Sequence, residues 1–116
     1  MKSVHVYGLQ RCSTCVKARK WLDANSIDFT FVDYRDSPVD VDVLKAWADK
    51  LGWGVVVNKA STSWRGLSDE QKQAGTDSQW LALIAEHPTL IKRPVLVDGD
   101  DVMVGFSEAK YAERFA

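Results

Sequence analysis

Cys12 and Cys15 are the only cysteines in the chain, and they stand two residues apart in "RCSTC", residues 11–15. Such a pair can hold a metal, staple a fold or exchange disulfides. A structural zinc site takes four nitrogen or sulfur ligands, and beyond the thiols the chain offers only His5 and His87. His5 falls within an alternating strand pattern and His87 at a helix end before Pro88, so neither has finger-like spacing. Val16, not histidine, follows Cys15, which removes the haem-attachment motif. Two inert buried thiols remain as the alternative. The position of the pair between two elements favours redox chemistry, and no metal is expected.

Those elements read as follows. "VHVYG" (4–8) is a short run of β-formers that stops at glycine. "RCST" has turn and cap character, and "CVKARKWLDAN" reads as a helix with Cys15, Ala18 and Leu22 on one face and Trp21 beside them. "IDFTFVDY" (27–34) alternates, with Ile27, Phe29 and Phe31 on one side. A strand, a helix and another strand imply a parallel pair joined by a right-handed crossover. Cys12 then lies in the first loop, at or just before a helix N-terminus, where unpaired N–H groups and the helix dipole stabilise a thiolate. Helix starts and nearby cations bring a cysteine pKa from about 8.5 into roughly the 3.5–7.5 range. Arg11 precedes Cys12, Lys17 lies one turn on, and Ser13 and Thr14 offer hydroxyl donors. From the first turn, Cys15 could resolve a mixed disulfide on Cys12.

Further along, "SPVDVDVLKAWADKLG" reads as a helix with Val43, Leu44, Trp47 and Leu51 at helical spacing, Asp40 or Asp42 at its start and Gly52 at its end. Residues 53–79 are least legible: "WGVVVNKAST" fits a short strand or one helical turn, and Ser68 and Asp69 are cap residues. "SQWLALIAEH" (78–87) is a helix with Trp80, Leu81 and Ile84 inward. "RPVLVDGDDVMVGF" is a β-hairpin turning over "DGDD". "SEAKYAERF" is a closing helix capped by Ser107, with Tyr111, Ala112 and Phe115 on its buried stripe. The order β-α-β, helices, β-β-α points to one α/β domain over residues 1–116, with a helical insertion at about 40–90.

Composition agrees with a globular protein: 46% hydrophobic, 27% charged, net charge −1 over 116 residues. No basic field attracts nucleic acid or membrane. No apolar run approaches the roughly 20 residues of a membrane span, and the N-terminus has no signal-peptide core. The expected setting is the reducing cytoplasm, where a lone C-x-x-C is seldom a staple, and the expected state is a monomer. In "IKRPVLV" (91–97), Pro94 sits where a strand starts, a position that tolerates proline, and the Arg93–Pro94 bond is of the kind that admits a cis peptide.

"YGLQRCSTCVKARKWL", "LGWGVVVNKASTSWRGL", "HPTLIKRPVLVDG" and "MVGFSEAKY" together resemble the arsenate reductase (ArsC)/Spx family of thioredoxin-fold proteins, nearly end to end. "NKASTSWRGL" and "VGFSEAKY" are most similar to its YffB-like subgroup, regarded as glutathione-dependent thiol reductases. The C-x-x-C is closer to Spx, a redox-sensing regulator that binds RNA polymerase. The resemblance implies a thioredoxin-like fold in which Cys12 is the nucleophile, Pro94 is a cis-proline facing the cysteine loop, and Arg93 points to Cys12. It implies glutathione as co-substrate, no bound cofactor, and either a resolving or a switch role for Cys15. Arg11 and Arg65 become candidates for the carboxylates of glutathione, and Trp64 for the cleft wall. Arsenate-reducing members carry two further arginines, at places held here by Asn58 (beside Lys59) and Gly105, with Arg65 a partial substitute. Three functions follow as expectations: a glutathione-linked thiol reductase, an Spx-like regulator, and an arsenate reductase weakened by two missing cations.

Overall fold

The computed structural model describes residues 4–115. In chain order the elements begin with β1 (Val4–Gly8), α1 (Ser13–Ala24) and β2 (Thr30–Asp33). Four helices follow: α2 (Val41–Leu51), α3 (Trp53–Val56), α4 (Thr62–Arg65) and α5 (Asp77–Glu86). The chain closes with β3 (Val95–Asp98), β4 (Asp101–Val104) and α6 (Glu108–Arg114). Two compact units result. One combines the residues up to Ser37 with those from Arg93 onward, and the other is Pro38–Lys92.

In the first unit the sheet order is β2-β1-β3-β4, with β1 parallel to β2 and antiparallel to β3. This mixed sheet with its β-α-β and β-β-α halves is the thioredoxin-like α/β architecture that the resemblance implies. The period-2 pattern of β1 buries Val4 and Val6 and leaves His5 and Tyr7 half-exposed. Ala18 and Leu22 of α1, Leu96 of β3 and Tyr111 of α6 complete that core, and Trp21, Ile27, Phe29, Phe31, Met103, Phe106 and Phe115 pack around it. Each large apolar side chain buried this way contributes about 1.5–3 kcal/mol. Arg114 Nη2 lies 2.8 Å from both the buried Asp98 carboxylate and that of Asp101, which supplies the partner a buried charge requires.

Some boundaries depart from the pattern-based expectation. α1 begins two residues early, because the Cys12 carbonyl already accepts from Val16 N–H at 2.9 Å, making Cys12 the N-cap. β2 is shorter than 27–34, since its ladder pairs only with His5–Gly8; Ile27 and Phe29 still reach the core. The hairpin turns on Gly99, whose φ of +61° suits glycine. Ala112 is exposed, leaving Tyr111 as the buried anchor of α6.

In the second unit α2 buries Leu44, Trp47 and Ala48. Of the two expected forms "WGVVVNKAST" takes the helical turn, α3, and within that stretch no strand follows it, only an isolated antiparallel bridge from Val57 to Ile91. α5 starts at a capping box, with Thr76 Oγ1 accepting from Gln79 N–H and Gln79 Oε1 from Thr76 N–H. Leu83, not Leu81, is buried beside Trp80 and Ile84. The Trp80 ring is stacked against Trp53 at 6.2 Å and Trp64 at 6.0 Å. No described helix is long and apolar enough to cross a membrane.

Candidate active site

Cys12 caps α1 in an extended conformation (φ −73°, ψ 125°), its N–H donating to Leu9 O at 3.1 Å. Partial burial works against ionisation of its thiol. The backbone N–H of Cys15, the Cys15 thiol, the Arg93 guanidinium and the backbone N–H of Thr14 all hydrogen-bond the sulfur and outweigh that burial, so its pKa falls below the ordinary value. Two of these donors are orphan N–H groups of the helix start, one is a cation and one is the neighbouring thiol.

Cys15 has the opposite environment. It is fully buried on the inner face of α1, beneath Gly8 of β1. Burial pushes its pKa up to about 11; the Leu9 backbone offsets part of this, and the adjacent Cys12, as hydrogen-bond partner and as negative charge, adds to it. A difference of three helix positions thus moves the two thiols of one motif in opposite directions from the ordinary cysteine value.

The Arg93–Pro94 peptide is cis, Pro94 is buried, and its carbonyl accepts from Gly105 N–H at 2.8 Å. Arg93 is half-buried, which works against its charge, but hydrogen bonds to the Tyr34 hydroxyl oxygen and the Cys12 sulfur keep it protonated. Tyr34 is wholly buried, and burial raises its hydroxyl to about 12 despite Arg93, so it accepts from the guanidinium as a neutral phenol.

Asp33, in the last position of β2, ties the site together. One carboxylate oxygen accepts from Gln10 N–H and the other from Arg35 N–H, each at 2.9 Å. The Gln10 and Arg35 amides hold the carboxyl below its usual range. Arg19 braces the same loop, donating to Gln10 O at 2.7 Å while its guanidinium lies 4.3 Å above the Phe31 ring. Beside Cys12 opens a cavity of about 540 Å³, lined by the loop Leu9–Ser13 with Asp33, Arg35 and Arg93.

The sequence-derived candidates therefore separate. Cys12, Cys15 and Arg93 come together, Pro94 follows Arg93 across the cis bond, and Arg11 lines the same cavity, although Arg93 is the cation that hydrogen-bonds the sulfur. Asn58 and Arg65 belong to the second unit. There Asn58 shapes a turn, its Oδ1 accepting from Ala60 N–H at 3.0 Å and its carbonyl from Ser61. Arg65 closes the same turn through Ala60 O at 3.0 Å, and Lys59 sits 5.4 Å from the Trp64 ring. Among the described residues no three His, Cys, Asp or Glu side chains group as a metal site requires.

Sequence reasoning missed Asp33, Tyr34 and Arg35. A usable signal existed: the C-terminal ends of adjacent parallel strands lie side by side, and ligands gather outside them. "DYR" ends β2 as "LQRC" follows β1.

A model of the ArsC family matches residues 7–114. An uncharacterized protein of Haemophilus influenzae is 39% identical over 113 residues, spanning 97% of this chain and 99% of its own length. Global transcriptional regulator Spx 2 of Bacillus anthracis is 27% identical over 107 residues, spanning 90% of this chain and 81% of its own. Among solved structures, that of a YFFB protein matches with a TM-score of 0.91 at 36% identity, over 97% of this chain and 99% of that one. With nearly the whole sequence inside the family match and a relative of almost equal length at this identity, the chain belongs to the ArsC family.

Proposed function

We propose that the protein is a cytoplasmic thiol–disulfide oxidoreductase working with glutathione, with Cys12 as its nucleophile. One observation carries this reading: hydrogen bonds from Arg93 and from backbone amides favour ionisation of the sulfur at the helix start, while burial keeps its neighbour protonated. The Cys12 thiolate attacks one sulfur of a glutathionylated substrate. The S–S bond breaks, the substrate leaves as a thiolate that takes a proton from water, and glutathione stays on Cys12. A second glutathione thiolate then attacks that mixed disulfide, freeing Cys12 and forming oxidised glutathione. The two electrons come from glutathione. Burial of Cys15 favours this external thiol over internal resolution, because a protonated thiol is a poor attacker.

Two features weigh against arsenate. Gly105 has a φ of +76°, where an arginine would be strained, and Asn58 is occupied within its own turn. The Spx-like alternative, a Cys12–Cys15 switch that alters affinity for RNA polymerase, draws on the Spx relatives and on the Cys12–Cys15 hydrogen bond.

The test couples turnover to NADPH consumption through glutathione reductase, with a glutathionylated peptide as substrate and glutathione as reductant. NADPH consumption proportional to protein concentration is expected. A rate equal to buffer, from folded and reduced protein, would overturn the enzyme reading and favour the switch.

A further inference from the structure

The cavity beside Cys12 is lined by three guanidinium groups, those of Arg11, Arg35 and Arg93, and by a single carboxylate, Asp33. Arg93 is committed to Cys12 and Tyr34. Arg35 is exposed, and it stands two residues from Asp33 on a segment that Asp33 itself anchors through Arg35 N–H. An ionised carboxylate offers about four acceptor positions. The backbone amides of Gln10, Arg35 and Asp36 account for three, so Asp33 keeps acceptor capacity at the cavity edge and is held ionised to use it. A fixed carboxylate beside an exposed guanidinium, whose charge it already feels, is the complement of an α-amino-acid head group, which presents an ammonium next to a carboxylate.

We propose that Asp33 and Arg35 form a subsite for the free α-amino-acid end of a peptide thiol, with Arg35 pairing its carboxylate and Asp33 its ammonium. This rests on the disulfide-exchange chemistry proposed above for Cys12. It adds how the small thiol is read: by its zwitterionic end at Asp33 and Arg35 and by further negative charge toward Arg11, so that an uncharged or a cationic thiol is disfavoured. Each partner carries one half of the recognition. Loss of Arg35 weakens every anionic disulfide, and loss of Asp33 removes only the advantage of the amino group.

The test is a single exchange that needs no turnover. Reduced protein reacts with oxidised glutathione, with its des-amino analogue (the disulfide of glutaryl-cysteinyl-glycine) or with uncharged 2-hydroxyethyl disulfide, and mass spectrometry follows modification of Cys12. Each rate is divided by the 2-hydroxyethyl rate of the same variant, which cancels any change in Cys12 itself. The expected preference of the wild type for oxidised glutathione is about tenfold or more, and Arg35→Gln loses about tenfold of it. Asp33→Asn no longer distinguishes glutathione from the des-amino analogue. An unchanged ratio in Arg35→Gln, or equal wild-type rates for glutathione and its des-amino analogue, overturns the subsite. Turnover that is blind to charge would sink the subsite and leave the reductase standing. Selective exchange without turnover would do the reverse.

Discussion

Cys12→Ser brings glutathione-coupled turnover down to the buffer rate, whereas Cys15→Ala keeps it within about fivefold of the wild type. The asymmetry follows from the two environments. A serine hydroxyl in place of Cys12 is essentially never ionised near neutral pH, so the four hydrogen bonds around it have no anion to hold and no nucleophile remains. Cys15 contributes less. With a pKa raised to about 11, its thiolate fraction at pH 7 is about one in ten thousand, too small to compete with millimolar glutathione. Once Cys12 is in a mixed disulfide its negative charge is gone and part of that elevation is relieved, but burial, the largest cause, remains. The fivefold allowance covers the hydrogen bond that the Cys15 thiol gives the Cys12 sulfur, worth roughly 1 kcal/mol or less. Parallel progress curves for the two variants check this. A Cys15→Ala protein as inactive as Cys12→Ser would make Cys15 the resolving thiol.

The second large effect is steric. A Cβ built on Gly8 would stand 2.5 Å from the Cys15 sulfur and 3.5 Å from its Cβ. Gly8→Ala therefore overpacks the contact between β1 and α1, where neither strand nor helix can retreat without disturbing Val6 and Ala18. Overpacking of this kind costs about 1–3 kcal/mol, read as a fall in the urea midpoint at unchanged m-value. Removing the sulfur removes the clash, so the double variant Gly8→Ala, Cys15→Ala recovers the stability of Cys15→Ala alone to within about 0.5 kcal/mol. A double variant as unstable as Gly8→Ala would show that something other than the Cys15 sulfur resists a side chain there.

Much of this site is readable from local pattern. β1 declares itself by alternation and ends at a glycine, and α1 shows its buried face through Cys15, Ala18 and Leu22. Cys12 at the helix start follows from those two facts alone. Arg93 and Pro94 were found through the family resemblance and the strand-start position of proline. What escaped depends on residues far apart in the chain. Tyr34 reads as the last residue of an alternating strand, off the face that carries Ile27, Phe29 and Phe31. Its service to Arg93 exists only once the sheet sets β3 beside β1 and β1 beside β2. Asp33 and Arg35 look like ordinary turn residues until the loop after β1 is placed against them. Gly8 reads as a strand stop, and its steric reason is visible only in the position of the Cys15 sulfur. Asn58 and Arg65, chosen by correspondence with arsenate-reducing relatives, make bonds within a local turn that no alignment of positions foretells.

The central claim is that one motif holds a thiol whose ionisation its surroundings favour and a shielded thiol whose ionisation they oppose. It is tested most directly by site-resolved alkylation of the reduced native protein with iodoacetamide between pH 5 and 9. Alkylation follows the thiolate, so each site's rate falls about tenfold per pH unit below its own pKa. The Cys12 profile should therefore be centred below the ordinary cysteine value, and Cys12 should react far faster than Cys15 across that range. Cys15 should stay unmodified until the protein unfolds. In Arg93→Met, which removes a donor to the thiolate and no donor to the thiol form, the Cys12 profile should move to higher pH, with the rate at pH 6 falling about tenfold. Equal labelling of both cysteines at pH 6, or a Cys12 profile centred at the ordinary cysteine value and unmoved in Arg93→Met, would contradict the account.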